Sequence, residues 1–204
     1  MAKKRVDKRG TRDTLIKIKF LVEGITEKYY FDNFLKECGY KIHIDMDKID
    51  GGGYFAFTRE IQKNKSIYDV IIIIADLDRV SIHSGEKEKL NELINLLEKL
   101  NLKNNIFLTY KNIETWQIAT LPVKVNNLST FLGYSNSSKG KEDIYKRLKE
   151  KGADFKIAIP KFKQNNLYYS KSDFEKGVIN IENTVKTQSN LIYFLDYLEK
   201  LKVL

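Results

Sequence analysis

The stretch Val70-Ile71-Ile72-Ile73-Ile74-Ala75-Asp76-Leu77-Asp78-Arg79 constrains the fold more than any other part of the chain. Successive side chains of a strand point to opposite faces, so a β-branched run without polar interruption is apolar on both faces. Such a strand needs cover on both sides, as in the centre of a parallel sheet whose crossover helices lie above and below it. The run then stops abruptly on two carboxylates, one residue apart, followed by an arginine.

The flanking patterns agree with an alternation of strand and helix. Residues 16–22 read as a strand stopped by Glu23-Gly24. Thr26 is placed to cap a helix that buries Tyr29, Tyr30, Phe31, Phe34 and Leu35 and ends near Gly39. A more polar strand over 40–49 leads into Gly51-Gly52-Gly53 and a short helix carrying Phe55, Phe57 and Ile61. Residues 86–102 repeat leucine at helical spacing, and a strand over 106–110 follows. This order predicts an α/β fold, Rossmann-like, with a central, mostly parallel sheet flanked by helices. Beyond residue 121 the pattern predicts a small C-terminal α/β extension: a helix near 141–150, a strand near 155–159, a Lys- and Tyr-rich stretch over 161–171 and a last helix near 188–202. The expected organisation is a basic arm over 1–13, a core over 14–121 and the extension over 122–204, packed on the same domain.

In an open parallel sheet ligands gather beyond the carboxyl ends of the strands, where the strand order reverses. Glu23 ends the first strand and Asp76 the third. With the order 2-1-3-4 those strands are neighbours, and Asp78 can join the same crevice. Two unit charges about 4 Å apart repel by roughly 4 kcal/mol at an effective dielectric of 20, so clustered acids need a counter-charge. A hard divalent cation with oxygen ligands supplies it, which makes Glu23, Asp76 and Asp78 candidates for a Mg²⁺ or Mn²⁺ site. The competing role for the two aspartates is to cap the turn and helix that follow.

Three motifs carry a resemblance. Phe20-Leu21-Val22-Glu23-Gly24-Ile25-Thr26-Glu27 is similar to the Glu-Gly-x-Thr-Glu opening of TOPRIM domains, in the version found in OLD-type nucleases and the RloB-like family. Ile74-Ala75-Asp76-Leu77-Asp78 resembles their Asp-x-Asp, and Lys111-Asn112-Ile113-Glu114-Thr115-Trp116 resembles the segment after the fourth strand of RloB-like proteins, with a shorter Asn–Glu spacing. The resemblance covers about residues 15–121. It implies a TOPRIM fold that binds Mg²⁺ or Mn²⁺ and acts on phosphodiester bonds in DNA or RNA, in a prokaryotic defence against phage by abortive infection, with a companion defence protein. It also implies that Glu23 is a general acid/base or first ligand, that Asp76 and Asp78 are metal ligands, and that Glu27 and Glu114 are candidate ligands of a second ion. Glu27 also suits the positive end of its helix.

Composition narrows the partners. Lys plus Arg number 36 against 27 Asp plus Glu, a formal charge of +9 that favours polyanions. Lys3, Lys4 and Arg5 in the arm, Arg79 beside the acids, and Lys161, Lys163 and Lys171 among Phe162, Tyr168 and Tyr169 are the candidate nucleic-acid contacts. The single cysteine, Cys38, excludes an internal disulfide and a cysteine-based zinc site. No apolar run approaches the roughly 18 residues that span a bilayer, so a cytoplasmic protein without a membrane partner is expected.

Two other readings use the same residues. A nucleic-acid- or nucleotide-sensing module would keep the fold without cleaving. A haloacid-dehalogenase-type phosphatase would use Asp76 as nucleophile and Asp78 as acid, but such chains begin with that strand and supply a later acidic pair, neither of which is seen here.

Overall fold

A computed structural model describes residues 16–39, 43–49, 51–102, 105–109, 111–135, 137–164 and 189–201. Four strands, β1 (Lys17–Val22), β2 (His43–Lys48), β3 (Val70–Asp76) and β4 (Ile106–Thr109), form one sheet in the order β2-β1-β3-β4, all pairs parallel. The expected Rossmann-like α/β architecture and 2-1-3-4 order are therefore present. Residues 1–13 lie outside the described residues.

The isoleucine run divides between two cores, as its continuous apolarity demands. Ile72 and Ile74 face one side with Phe20, Phe31, Phe34, Phe107 and Trp116, whereas Ile71, Ile73 and Ala75 face the other with Leu21, Leu90, Leu93 and Leu97. Helices α2 (Gly53–Asn64) and α4 (Ser84–Lys99) close the second, aliphatic side. The short α3 (Asp78–Ile82) lies between β3 and α4. The first, aromatic side is closed by α1 (Ile25–Glu37), α5 (Ile113–Thr120) and the helices that follow.

Those later elements are α6 (Leu128–Leu132), α7 (Ser138–Glu142), α8 (Ile144–Glu150), α9 (Phe155–Gln164), a 3₁₀ turn (Leu191–Tyr193) and α10 (Phe194–Lys200). They supply Phe155, Phe162 and Phe194 to the same core as Phe20 and Trp116, so the two parts of the chain share one apolar interior. The expected strand near 155–159 is instead α9. Asp154 accepts a hydrogen bond from the Lys156 amide (2.7 Å), an N-cap arrangement, and Phe155, Ala158 and Phe162 lie on one helical face and are buried. The extension is thus helical among the described residues, apart from one antiparallel bridge between Thr109 and Ser189.

Asn190 closes the outer edge of β4. Its side-chain oxygen accepts from the Leu108 amide (2.6 Å) and its side-chain nitrogen donates to the Ile106 carbonyl (2.9 Å), so one amide side chain pairs the strand as a neighbouring backbone would. Among the described residues no helix is long and apolar enough to cross a membrane.

Candidate active site

β1 and β3 are neighbours at the centre of the sheet, and their register pairs Val22 with Ile74. The residues that follow each pair therefore leave the sheet side by side. The Asp76 amide donates to Glu23 Oε2 at 3.1 Å, joining two acids 53 positions apart in the chain. Asp76 is 8% exposed, and Oδ1 accepts from the Thr109 hydroxyl at 2.9 Å. Thr109 is its register partner on β4 and is itself buried. The Leu77 amide donates to the Thr109 carbonyl (2.8 Å), and the Tyr54 hydroxyl, from α2, donates to the Asp76 carbonyl. The end of β3 is thus held from both sides by its own backbone as well as by its side chain.

Glu27 lies in the first turn of α1 and is 5% exposed. Gly24 immediately precedes that helix in an extended conformation any residue could adopt, so backbone freedom does not explain the glycine. A Cβ there would lie 2.9 Å from Glu27 Oε2, so a larger residue would have to displace the end of that buried carboxylate. The Glu-Gly pair places one acid and clears room for another. Thr26, expected as the cap, is buried inside α1, and Gly24 holds the cap position without a side-chain bond.

Asp78 sits in the first turn of α3, where Leu77 holds the cap position and no side-chain cap bond forms. The capping role considered for the two aspartates is therefore not the one seen. Glu114 lies in the first turn of α5, behind Asn112, whose side chain accepts from the Thr115 amide and caps the helix.

The acids share one electrostatic environment. Burial pushes Asp76 well above the usual aspartate range, and repulsion from Glu27, Glu23 and Asp78 adds to it, against the Thr109 hydrogen bond. Glu27 is pushed up to about 7 by burial, against a backbone hydrogen bond, with repulsion from Glu114 and Glu23 in the same direction. Glu23 is also raised by burial, although the Asp76 amide and Arg79 pull the other way. The structure brings Glu23, Glu27, Asp76, Asp78 and Glu114 to the same sheet edge. Among the described residues, however, no three acidic, histidine or cysteine side chains are arranged to hold a metal ion.

One acid escapes sequence reasoning. Glu86, in the first turn of α4, adds to the repulsion on Glu23 and on Tyr54. Its Oε1 meets Lys89 Nζ at 2.6 Å, and a Cβ on Gly53 would lie 2.5 Å from its Oε2. No local pattern marks it, because its place depends on how α4 packs on α2. Thr109 was more accessible to reasoning: it is the polar residue ending the fourth strand, at the edge where the acids were expected.

The expected cationic contacts are scattered. Arg79 Nε lies 3.5 Å from Glu23 Oε1, with 45% of its side chain exposed. Lys161, on α9, donates to the Leu121 carbonyl, and burial pulls its pKa down. Lys163 is exposed on the same helix. Lys3, Lys4, Arg5 and Lys171 lie outside the described residues, as do Tyr168 and Tyr169. Trp116, by contrast, is fully buried between Phe155 and Phe162, with ring centroids at 4.7 and 4.9 Å.

No family model, curated protein or solved structure matches the chain.

Proposed function

We propose that the chain is a divalent-metal-dependent nuclease that hydrolyses phosphodiester bonds in nucleic acid. The observation that carries this reading is the meeting of Glu23 and Asp76 at the carboxyl edge of adjacent central strands, with Glu27 and Asp78 close enough to raise Asp76 further. Several buried acids with little counter-charge are costly unless protons or a cation join them. The donors are all hard oxygens, which fits Mg²⁺ or Mn²⁺ rather than a thiolate-seeking metal. Asp76 and Asp78 would hold the ion, with Glu27 and Glu114 available to a second. Bound there, such an ion would polarise a phosphoryl oxygen and offset charge developing on the phosphate.

The chain's own groups have defined tasks in this reading. Thr109 and the Tyr54 hydroxyl fix Asp76, so the carboxylate is oriented before substrate arrives. Glu23, raised by burial, is suited to take a proton from an attacking water at Oε1 or Oε2 and to return one to the leaving oxygen. Arg79, half-exposed beside Glu23, can reach a phosphate oxygen. The resemblance of the Glu-Gly-x-Thr-Glu and Asp-x-Asp motifs to those of RloB-like TOPRIM proteins points the same way and adds a role in defence against phage.

The test is cleavage of a labelled panel of DNA and RNA with Mg²⁺ or Mn²⁺, comparing the intact chain with Glu23→Ala and Asp76→Ala. Metal-dependent cutting that falls roughly a hundredfold or more in both variants is expected. No cutting of any substrate, or cutting that survives both substitutions, overturns the reading; tight binding without turnover would move it to the non-cleaving module. Hydrolysis of small phosphate esters lost in Asp76→Asn would move it to the phosphatase.

A further inference from the structure

Helix α2 buries Tyr54, Ala56, Phe57 and Ile61 against the aliphatic side of the sheet, yet Phe55 points out and is 58% exposed, the most exposed large apolar side chain among the described residues. A single exposed apolar residue is ordinary. The position of this one is not. It follows Tyr54, whose hydroxyl is tied to the Asp76 carbonyl, and Gly53, whose backbone faces Glu86. Phe55 therefore lies in the first turn of α2, the turn that reaches the acid cluster through Tyr54, and faces solvent from its outer side. On the same helix Arg59 and Lys63 recur at intervals of four residues, which aligns them behind Phe55 along the outer face. Their side chains are 70% and 72% exposed, and both meet Glu60 only loosely, at 3.9 and 3.5 Å. Between these cations and the end of β2 lies a crevice of about 240 Å³, bordered by Lys48, Ile49, Arg59 and Lys63 with Asp47 and Glu60.

We propose that Phe55, Arg59 and Lys63 form a docking track for single-stranded nucleic acid, with an unpaired base stacked on the Phe55 ring and the backbone phosphates following Arg59 and Lys63. An aromatic ring with cations beyond it is the combination that binds a strand without sequence preference, the ring taking a base face and the cations the phosphates. A duplex keeps its base faces stacked on one another and cannot offer one to Phe55. A protein partner would call for a wider apolar patch than one ring. The proposal rests on the nuclease reading for what the strand is doing there, and it narrows that reading to substrates with a single-stranded segment next to the cut.

The two are tested separately. Binding is measured by fluorescence anisotropy in chelator, where no metal-dependent cleavage can occur, using a labelled oligothymidylate of about a dozen nucleotides and a duplex of equal length. The intact chain is expected to bind the single strand, and Phe55→Ala to weaken it about tenfold while leaving duplex binding unchanged. Phe55→Trp should keep the affinity, and its indole emission should be quenched by the strand, a signal that buried Trp116 does not give. Arg59→Gln with Lys63→Gln should weaken binding and reduce its dependence on salt. Circular dichroism shows whether each variant is folded. Absence of strand binding, equal loss of strand and duplex binding in Phe55→Ala, or a Phe55→Trp signal unchanged by the strand overturns the proposal. Cleavage that continues while Phe55→Ala binds normally defeats this proposal alone; Phe55-dependent binding by a protein that cuts nothing defeats only the nuclease reading.

Discussion

Two groups of buried charge sit on the same sheet and are built in opposite ways. Lys19, in the middle of β1, is 3% exposed, and its ammonium meets Asp45 at 2.8 Å and Asp47 at 2.6 Å on β2. Tyr68 donates to Asp45 and turns its ring toward the ammonium at 5.2 Å. Burial disfavours that charge, yet the two aspartates more than compensate and leave the Lys19 pKa raised. About 13 Å along the strand, roughly four residues of rise from Lys19 to Glu23, burial and mutual repulsion raise Glu23, Glu27 and Asp76 despite Arg79 beside Glu23 and the more distant pull of Lys141 on Glu27. The first group is electrically complete within the chain; in the second, acid outweighs counter-charge among the described residues.

Neutralising acids in each group should separate the two most strongly. Asp45→Asn with Asp47→Asn leaves a buried ammonium without its partners. Losing a fully buried partner costs about 3–5 kcal/mol, and because both aspartates are partly exposed we expect about 2–3 kcal/mol of destabilisation by urea denaturation. Asp76→Asn in metal-free protein at pH 8 should do the reverse, raising stability by on the order of 1 kcal/mol, since it removes a crowded charge and can keep the Thr109 bond. If both substitutions destabilise alike, the acid edge is as self-contained as the Lys19 group and needs no ion.

The pH profile separates the groups next. Glu27 binds its proton more tightly in the folded chain, at about 7, than at its ordinary value of 4.5. A raised carboxyl contributes stability that is complete below the unfolded value and is lost as pH rises through the folded one. Metal-free protein should therefore lose on the order of 1–2 kcal/mol between pH 5 and 8, less than an isolated site would give because neighbouring acids share protons. Glu27→Gln should flatten this slope, and Mg²⁺ or Mn²⁺ at pH 8 should restore the lost stability. A melting temperature that climbs over this range in chelator, in the intact chain as in Glu27→Gln, would contradict the assignment.

The same contrast separates what sequence can and cannot convey. The Ile71–Ile74 run announced a strand covered on both faces because period-two geometry leaves no other place for it, and Glu23 and Asp76 were legible because each follows an apolar strand directly. Residues 155–159 misled for a related reason. Phe-Lys-Ile-Ala-Ile ahead of Pro160 alternates like a strand, but the deciding contacts are with Trp116, some forty residues away, and they select the helical face of Phe155, Ala158 and Phe162. Asp154 was the local signal for that helix, a cap residue directly before it. Phe55 reads as core from its composition, and only the packing of its helix shows it facing out. Glu86 had no comparable signal, since only the packing of α4 beside α2 brings it toward Glu23.

The smallest expected effect concerns Arg79, the cation paired with Glu23. If it were to the acid edge what Lys19 is to Asp45 and Asp47, replacing it would be as damaging as breaking that group. Its geometry argues otherwise. The contact with Glu23 is 3.5 Å long, nearly half of the arginine side chain is exposed, and water can take its place. Exposed ion pairs contribute about 0.2–1 kcal/mol, so Arg79→Gln should change metal-free stability by no more than about 0.5 kcal/mol. Its consequence should appear in turnover instead, as slower cleavage at saturating metal, where a half-exposed guanidinium can meet a phosphate. A loss of several kcal/mol on replacing Arg79 would make it the missing counter-charge, and the buried acids would then be held by the chain alone.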